Sequence, residues 1–129
     1  MANAGDELHG PGVRLRIARL EPELLEMEAA YDGSGRMPPE HFHPRQAERF
    51  TVLEGSMRAI INGSEAVYAM GASFDVPVAS RHQMAPEEPA RVRWEVRPAL
   101  RTAEFFERIY SDHVDENLLT EFADEIRFS

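Results

Sequence analysis

The sequence contains no cysteine, and this absence limits the chemistry that the protein can perform. Without thiols there can be no disulfide framework, no zinc–thiolate site, no iron–sulfur cluster and no cysteine nucleophile. Any metal ion must therefore be held by histidine and carboxylate side chains. The 129 residues suffice for one domain, whereas two domains would each fall near the lower limit for a self-sufficient core.

Long apolar runs and an excess of basic residues are also missing. No stretch approaches the roughly 20 apolar residues of a membrane span, so a transmembrane protein is excluded and no membrane partner is expected. Fourteen Lys and Arg residues stand against 23 Asp and Glu residues, and the net charge of −9 would repel a phosphate backbone, so nucleic acid is not an expected partner. The N-terminus lacks the basic start and apolar stretch of a secretory signal, which favours a cytoplasmic location.

Alternating apolar and polar residues indicate many short β-strands. The alternation is clearest around Trp94, and Asn62-Gly63 separates two such runs as in a type I′ hairpin. Short strands with close turns predict an all-β sandwich or small barrel, and an apolar stripe at 105–110 indicates a helix that covers the barrel or a dimer partner. The expected organisation is a flexible tail at 1–12, a β-barrel at 13–98, and a helical extension at 99–129 packed on the barrel or the dimer partner.

Histidines and a glutamate carry the strongest chemical signal. His41 and His43 lie two residues apart, so their side chains share one face if the segment is a strand. Glu48 follows a short turn and could bring a carboxylate to the same point. Two histidines and a carboxylate with open positions suit non-haem Fe(II), although Mn, Ni, Co, Cu and Zn accept the same ligands. His82, at the start of a later strand, would complete a site of three histidines and one glutamate.

These residues stand in two segments that resemble the two motifs of the cupin superfamily. Matching positions are Gly35, His41, His43, Glu48 and Gly55 in the first motif, and Gly71, Pro77 and His82 in the second. Ala79 and Pro86 stand where the second motif has Gly and Asn. The resemblance, to small single-domain cupins, implies one antiparallel jelly-roll β-barrel with a metal inside one mouth, and often a homodimer. With the short C-terminal helical segment, the predicted fold class is all-β.

Strand parity predicts the apolar wall of a substrate pocket. The inward residues, or those sharing a face with the ligands, are Met37, Phe50, Val52, Met57, Met84 and Trp94. Apart from the ligands, this interior contains almost no polar group. We therefore expect a small, largely apolar organic molecule as substrate or ligand rather than a sugar or a polycarboxylate.

Cupins include dioxygenases, isomerases, cyclases, sugar binders and storage proteins, so the resemblance names the site but not the reaction. The leading hypothesis is an enzyme with one divalent transition metal ion (Fe, Mn, Ni or Zn), either an oxidoreductase of the dioxygenase type or an isomerase or cyclase. Glu48 would act as the general base if it is not a ligand. The alternative is a non-catalytic module that binds a metal or small molecule. A structural or storage protein fits poorly, because it has no need of the full ligand set.

Overall fold

The computed structural model describes residues 2–34, 37–111 and 115–128. Over these ranges the chain forms eleven β-strands and two short helices. The strands are β1 (Glu7–Gly10), β2 (Val13–Glu21), β3 (Leu24–Tyr31), β4 (His41–Phe42), β5 (Ala47–Glu54), β6 (Ser56–Ile61), β7 (Ser64–Ala69), β8 (Ser73–Val76), β9 (His82–Pro86), β10 (Ala90–Arg97) and β11 (Arg127–Phe128). The helices are α1 (Thr102–Ile109) and α2 (Leu118–Glu121).

The strands form two antiparallel sheets. One sheet has the order β1-β2-β3-β10-β5-β8, and the other has the order β11-β4-β9-β6-β7. The hairpin between β6 and β7 turns at Asn62 and Gly63, whose φ angles of 49° and 83° are those that a type I′ turn requires. The predicted fold class, an all-β jelly-roll barrel with a short C-terminal helical segment, is confirmed.

The hydrophobic core lies between the two sheets. Along β10, Val92 and Trp94 are buried while Arg93 between them is exposed, which is the period-two pattern of the sequence. Met57 and Ala59 of β6 extend the same buried cluster into the second sheet. Burying a large apolar side chain contributes about 1.5–3 kcal/mol, so the alternation itself drives the sheets together.

Two segments that the sequence analysis placed outside the barrel belong to its sheets. Residues 7–10 form β1, which pairs with β2, and Ala2 lies buried in the core, so the prediction of a tail over 1–12 was wrong for these residues. Residues 127–128, expected in the helical extension, form β11 and pair with β4. Both strands are too short for an alternating pattern to show, and both are held by backbone pairing.

The helical extension packs on the barrel. Ala103 of α1 is buried in the barrel core, and Phe105 packs with Phe122 and neighbouring residues in a smaller apolar cluster. The buried amide of Gln46 fastens the start of α1, because its Nε2 donates to the carbonyls of Pro98 and Ala99 and to the Thr102 hydroxyl at 2.7–3.0 Å. Among the described residues, no helix is long and apolar enough to cross a membrane.

Candidate metal centre and adjoining cavity

The fold brings the four predicted ligands together from three strands and a turn. His41 on β4 lies directly opposite His82 at the start of β9. His43 follows β4, and Glu48 is the second residue of β5 in the other sheet. The ring centroids of the three histidines lie 4.3–5.2 Å apart, and one nitrogen from each lies within 4.8 Å of the others. Residues separated by up to 41 positions therefore converge at one point.

The backbone fixes the tautomer of each imidazole. The Nδ1 atoms of His41, His43 and His82 lie 3.0, 2.7 and 3.0 Å from the carbonyl oxygens of Pro39, Glu125 and Ser80. A carbonyl oxygen only accepts a hydrogen bond, so each Nδ1 carries a proton and donates it. In the neutral rings, each Nε2 is then left with its lone pair. Metal-binding histidines are commonly oriented by such a second hydrogen bond.

Glu48 lies beside two of these histidines, although it is not part of the group of three whose nitrogens lie within 4.8 Å of one another. Its Oε1 lies 3.0 Å from His43 Nε2 and 3.1 Å from His82 Nε2, while its Oε2 accepts a 2.6 Å hydrogen bond from the indole N–H of Trp94. His43 Nε2 and Glu48 Oε1 are buried and lack a hydrogen bond within the described part of the chain. Neighbouring donors around an ion with bonds of about 2.1 Å lie about 3.0 Å apart at right angles, so these spacings fit a metal.

Burial and mutual charge shift the pKa values of these groups. Burial would raise the pKa of Glu48, but the charges of His43 and His82 outweigh it and hold that pKa well below 4.5. Burial opposes the charged form of His43, yet Glu48 raises the pKa of this ring. Burial, followed by the charge of His82, lowers the pKa of His41 to about 4. An ionised carboxylate and at least one neutral imidazole therefore coexist at neutral pH, as metal binding requires.

A cavity of about 270 Å³ is lined by all four predicted ligands. Phe50, Met84 and Trp94, three of the predicted pocket residues, line it. The other three, Met37, Val52 and Met57, do not, and Val52 and Met57 are fully buried in the core. The alternation of side chains along each strand predicts that these two side chains point inward, but it does not show how far from the cavity they lie along the strand. Val52 lies four residues from Glu48 along β5, which is about 13 Å in a strand.

Several residues of the cavity were not predicted as pocket residues. The C-terminal segment supplies Phe105, Phe106, Tyr110, Ile126 and Phe128, and β3 supplies Tyr31. The apolar stripe at 105–110 indicated a covering helix but not what the helix covers. Continuing the inward parity of β3 to its last residue would have predicted that Tyr31 faces inward, but not that it lies at the cavity. Nothing in the sequence marks the carbonyl of Glu125 as a partner of His43.

Two turns of the motif segments have left-handed backbone conformations. Gly55 has a φ of 75°, and a Cβ there would overlap the carbonyl oxygen of Pro89, so only glycine fits. Ala79, which replaces a motif glycine, keeps a φ of 63° at a cost of about 1 kcal/mol. Its N–H donates to the carbonyl of His43 at 2.9 Å, linking this turn to a ligand. Gly35 of the first motif lies outside the described residues.

Comparison with known proteins identifies the fold family. A family model described as "Cupin domain" matches residues 28–96. KdgF from Halomonas sp. has a TM-score of 0.66 and 23% identity, covering 72% of this chain and 87% of its own. An RmlC-like cupin from Shewanella frigidimarina NCIMB 400 has a TM-score of 0.69 and 22% identity, covering 76% and 87%.

A variant of Streptomyces Pac13, a nucleoside dehydratase solved with uridine, has a TM-score of 0.67 and 13% identity, covering 98% of this chain and 85% of its own. A sequence search of curated proteins found no match. Identities this low show a shared fold and leave the reaction open.

Proposed function

The chain belongs to the cupin family, and from this premise we propose that it is a metal-dependent enzyme acting on a small, largely apolar organic molecule. A dioxygenase is the first assignment of reaction class, and an isomerase or cyclase is the second. The observation that carries the proposal is the convergence of three imidazoles and a carboxylate on a cavity with mainly aromatic and aliphatic walls. A purely structural protein has no use for such a cavity.

His41, His43 and His82 would hold the ion through Nε2, with Glu48 Oε1 as a fourth ligand. When bound, a divalent transition metal supplies Lewis acidity and, if it is iron or manganese, redox chemistry. With a ligand filling the cavity, the aromatic walls would exclude water and thereby strengthen the electrostatic interactions within the site. The indole N–H of Trp94 already uses one lone pair of Oε2, whereas Oε1 has no hydrogen bond in the described chain, so Oε1 is the oxygen better placed to accept a substrate proton if Glu48 acts as a base instead.

Size and polarity support a small substrate. A cavity of about 270 Å³ lies just below the range of roughly 300–1,000 Å³ found for drug-sized ligands, so one or two fused rings fit. The uridine bound by Pac13 supports a small-molecule occupant in this barrel as well. The few polar groups of the present lining favour a less polar molecule than a nucleoside. An oxygenase reaction ranks first because it demands the fewest acid and base side chains.

Metal content is the first test. Protein purified without chelators should contain one ion per chain, and His41→Ala should lose it. His9→Ala is the matched control, because His9 is an exposed residue of β1 far along the chain from the ligands. Metal at 100 times its Kd stabilises a fold by about 2.7 kcal/mol, which should raise Tm by about 10 °C. Failure of Fe(II), Mn(II), Ni(II) and Zn(II) to bind or to raise Tm would overturn the proposal.

Turnover is the second test. Fe(II)-loaded protein should consume O₂ in the presence of at least one member of a panel of small aromatic and alicyclic compounds. Conversion of a compound without O₂ to a product of the same mass would instead assign an isomerase or cyclase. Metal and ligand binding without any conversion would replace the enzyme by the non-catalytic binding module.

A homodimer in the cytoplasm is part of the proposal, and sedimentation of the purified protein as a monomer would remove the dimer from it.

A further inference from the structure

Two tyrosines line the cavity without serving the metal centre. Tyr31 is the last residue of β3, opposite Val13 of β2 and Ala90 of β10. Tyr110 follows α1 and lies against the α-carbon of Gly10, where a Cβ would collide with its ring. Pairing of β3 with two neighbouring strands thus positions Tyr31, and the close contact with Gly10 positions the ring of Tyr110.

Neither phenolic hydroxyl has a hydrogen-bond partner in the part of the chain that the structure describes. Burial raises the pKa of Tyr31, with smaller contributions from the charges of Tyr110 and Glu48, and burial also raises the pKa of Tyr110. Both hydroxyls therefore remain protonated at neutral pH. Both side chains are half-buried in the cavity wall. A tyrosine hydroxyl in such a wall usually has a hydrogen-bond partner, so two uncommitted donors in this lining point to an acceptor on a ligand.

The remaining lining restricts that acceptor to a neutral group. Apart from the three histidines, the described lining of the cavity has no basic side chain, so a carboxylate or phosphate at the tyrosines would lack a counter-charge there. A sugar would bring more hydroxyls than the walls can satisfy. The rings of Phe50, Trp94 and Phe106 offer faces and edges to a flat apolar body.

We propose that Tyr31 and Tyr110 form the neutral polar end of the substrate site and that the ligand is a small aromatic carbonyl compound whose carbonyl oxygen accepts hydrogen bonds from their hydroxyls. The inference rests on the proposed function, in which the ion at His41, His43 and His82 provides the second polar group of the same cavity. The two tyrosines are then specificity-determining residues, and the aromatic body of the ligand lies among the rings between them.

A matched pair of probes tests this assignment. 1-Indanone carries the carbonyl on a two-ring skeleton, and indane is the same skeleton without it. The Kd of each is measured by calorimetry on chelator-treated and on Zn(II)-loaded protein. The wild type should bind 1-indanone more tightly than indane in both states. Tyr31→Phe and Tyr110→Phe should each reduce that preference about 2- to 10-fold, while leaving the Kd of indane and the Tm unchanged.

Tyr68→Phe is the matched control, because Tyr68 stacks on Phe74 and does not line the cavity. It should leave the preference for 1-indanone intact. An undiminished preference in the Tyr31→Phe/Tyr110→Phe double variant would overturn the assignment, as would failure of the wild type to bind either probe. If the preference disappears when the metal is removed, the carbonyl binds the ion rather than the tyrosines. The assignment then fails, but the metal-binding result, measured on the same samples, still supports the proposed function.

Discussion

The hydrogen bond from Trp94 to Glu48 should couple the core of the barrel to the metal centre. The indole N–H donates to Oε2 at 2.6 Å, and the Glu48 side chain is only 1% exposed. Trp94→Phe removes this donor but keeps an aromatic ring in the wall. A hydrogen bond to a buried charged group contributes about 1.5–3 kcal/mol. The smaller ring adds a packing loss of about 1–2 kcal/mol, so the variant should lose about 2.5–5 kcal/mol of unfolding free energy.

A double-mutant cycle separates the two contributions. Glu48→Met removes the acceptor while keeping an unbranched chain, and in that background Trp94→Phe loses only the packing contribution. The coupling energy between the two sites should therefore be about 1.5–3 kcal/mol. Urea unfolding of chelator-treated protein, followed by far-ultraviolet circular dichroism, measures it for the wild type, both single variants and the double variant. A coupling energy below about 0.5 kcal/mol would refute the reasoning.

The same change should weaken metal binding. Losing an outer partner of a ligand usually lowers metal affinity about 10- to 100-fold, and Zn(II) binding to Trp94→Phe should fall within that range. Phe50→Leu is the control, because Phe50 stacks beside Trp94 with 5.5 Å between ring centroids but has no hydrogen bond to Glu48 in the described chain. Equal losses of Zn(II) affinity in both variants would show that packing, and not the hydrogen bond, supports the site.

Three further predictions concern the turns and the outer face of the barrel. Gly55→Ala should lose about 2–5 kcal/mol of unfolding free energy, because it combines a left-handed φ with an overlap on Pro89, whereas Gly63→Ala, with a φ of 83° and open space around it, should lose only about 1–2 kcal/mol. Ala79→Gly should gain about 0.5–1 kcal/mol by relieving its left-handed φ of 63°, measured as a higher urea midpoint at unchanged slope. Glu28→Gln should lose at most about 1 kcal/mol at pH 7, because the hydrogen bond from Arg91 lowers the pKa of Glu28 below 4.5. This stability is present above the unfolded-state pKa and is lost as the pH falls through the folded-state pKa, so the unfolding free energies of wild type and variant should converge as the pH is lowered.

Each of these three has a result that contradicts it. Equal losses for the two glycine variants would mean that the contact at Pro89 is not tight. An Ala79→Gly variant less stable than the wild type would mean that the backbone there tolerates alanine without strain. For Glu28, a difference from the wild type that does not shrink as the pH is lowered would assign the effect to packing instead of charge.

Side-chain periodicity predicted the β-strands and placed His41 and His43 on one face, whereas the resemblance to the two cupin motifs implied the jelly-roll barrel that brings Glu48 and His82 to the same point. Alternation by itself determines only which face of a strand a residue takes. Depth along a strand is not contained in that pattern, which is why Val52 and Met57 were placed at the cavity although they lie in the core.

Backbone interactions were the other part of the structure that the sequence could not reveal. β1 and β11 are held to their neighbours by main-chain pairing, and any residue type can supply a carbonyl such as that of Glu125. Tyr31 shows an intermediate case. The alternation along β3 shows that Tyr31 faces inward. The sequence does not show where β3 ends, and so it does not place Tyr31 at the cavity.

The hydrogen bond between His43 and the Glu125 carbonyl joins residues 82 positions apart, and β4 lies between β9 and β11. During synthesis on a ribosome, His43 emerges long before the segment that orients its ring. At about 5–20 residues per second, the delay is roughly 4–16 s. During that interval a nascent chain lacks the carbonyl that orients His43, and the three imidazoles take the arrangement described above only once the C-terminal segment has docked. The metal ion that we propose for this site would therefore be bound after synthesis.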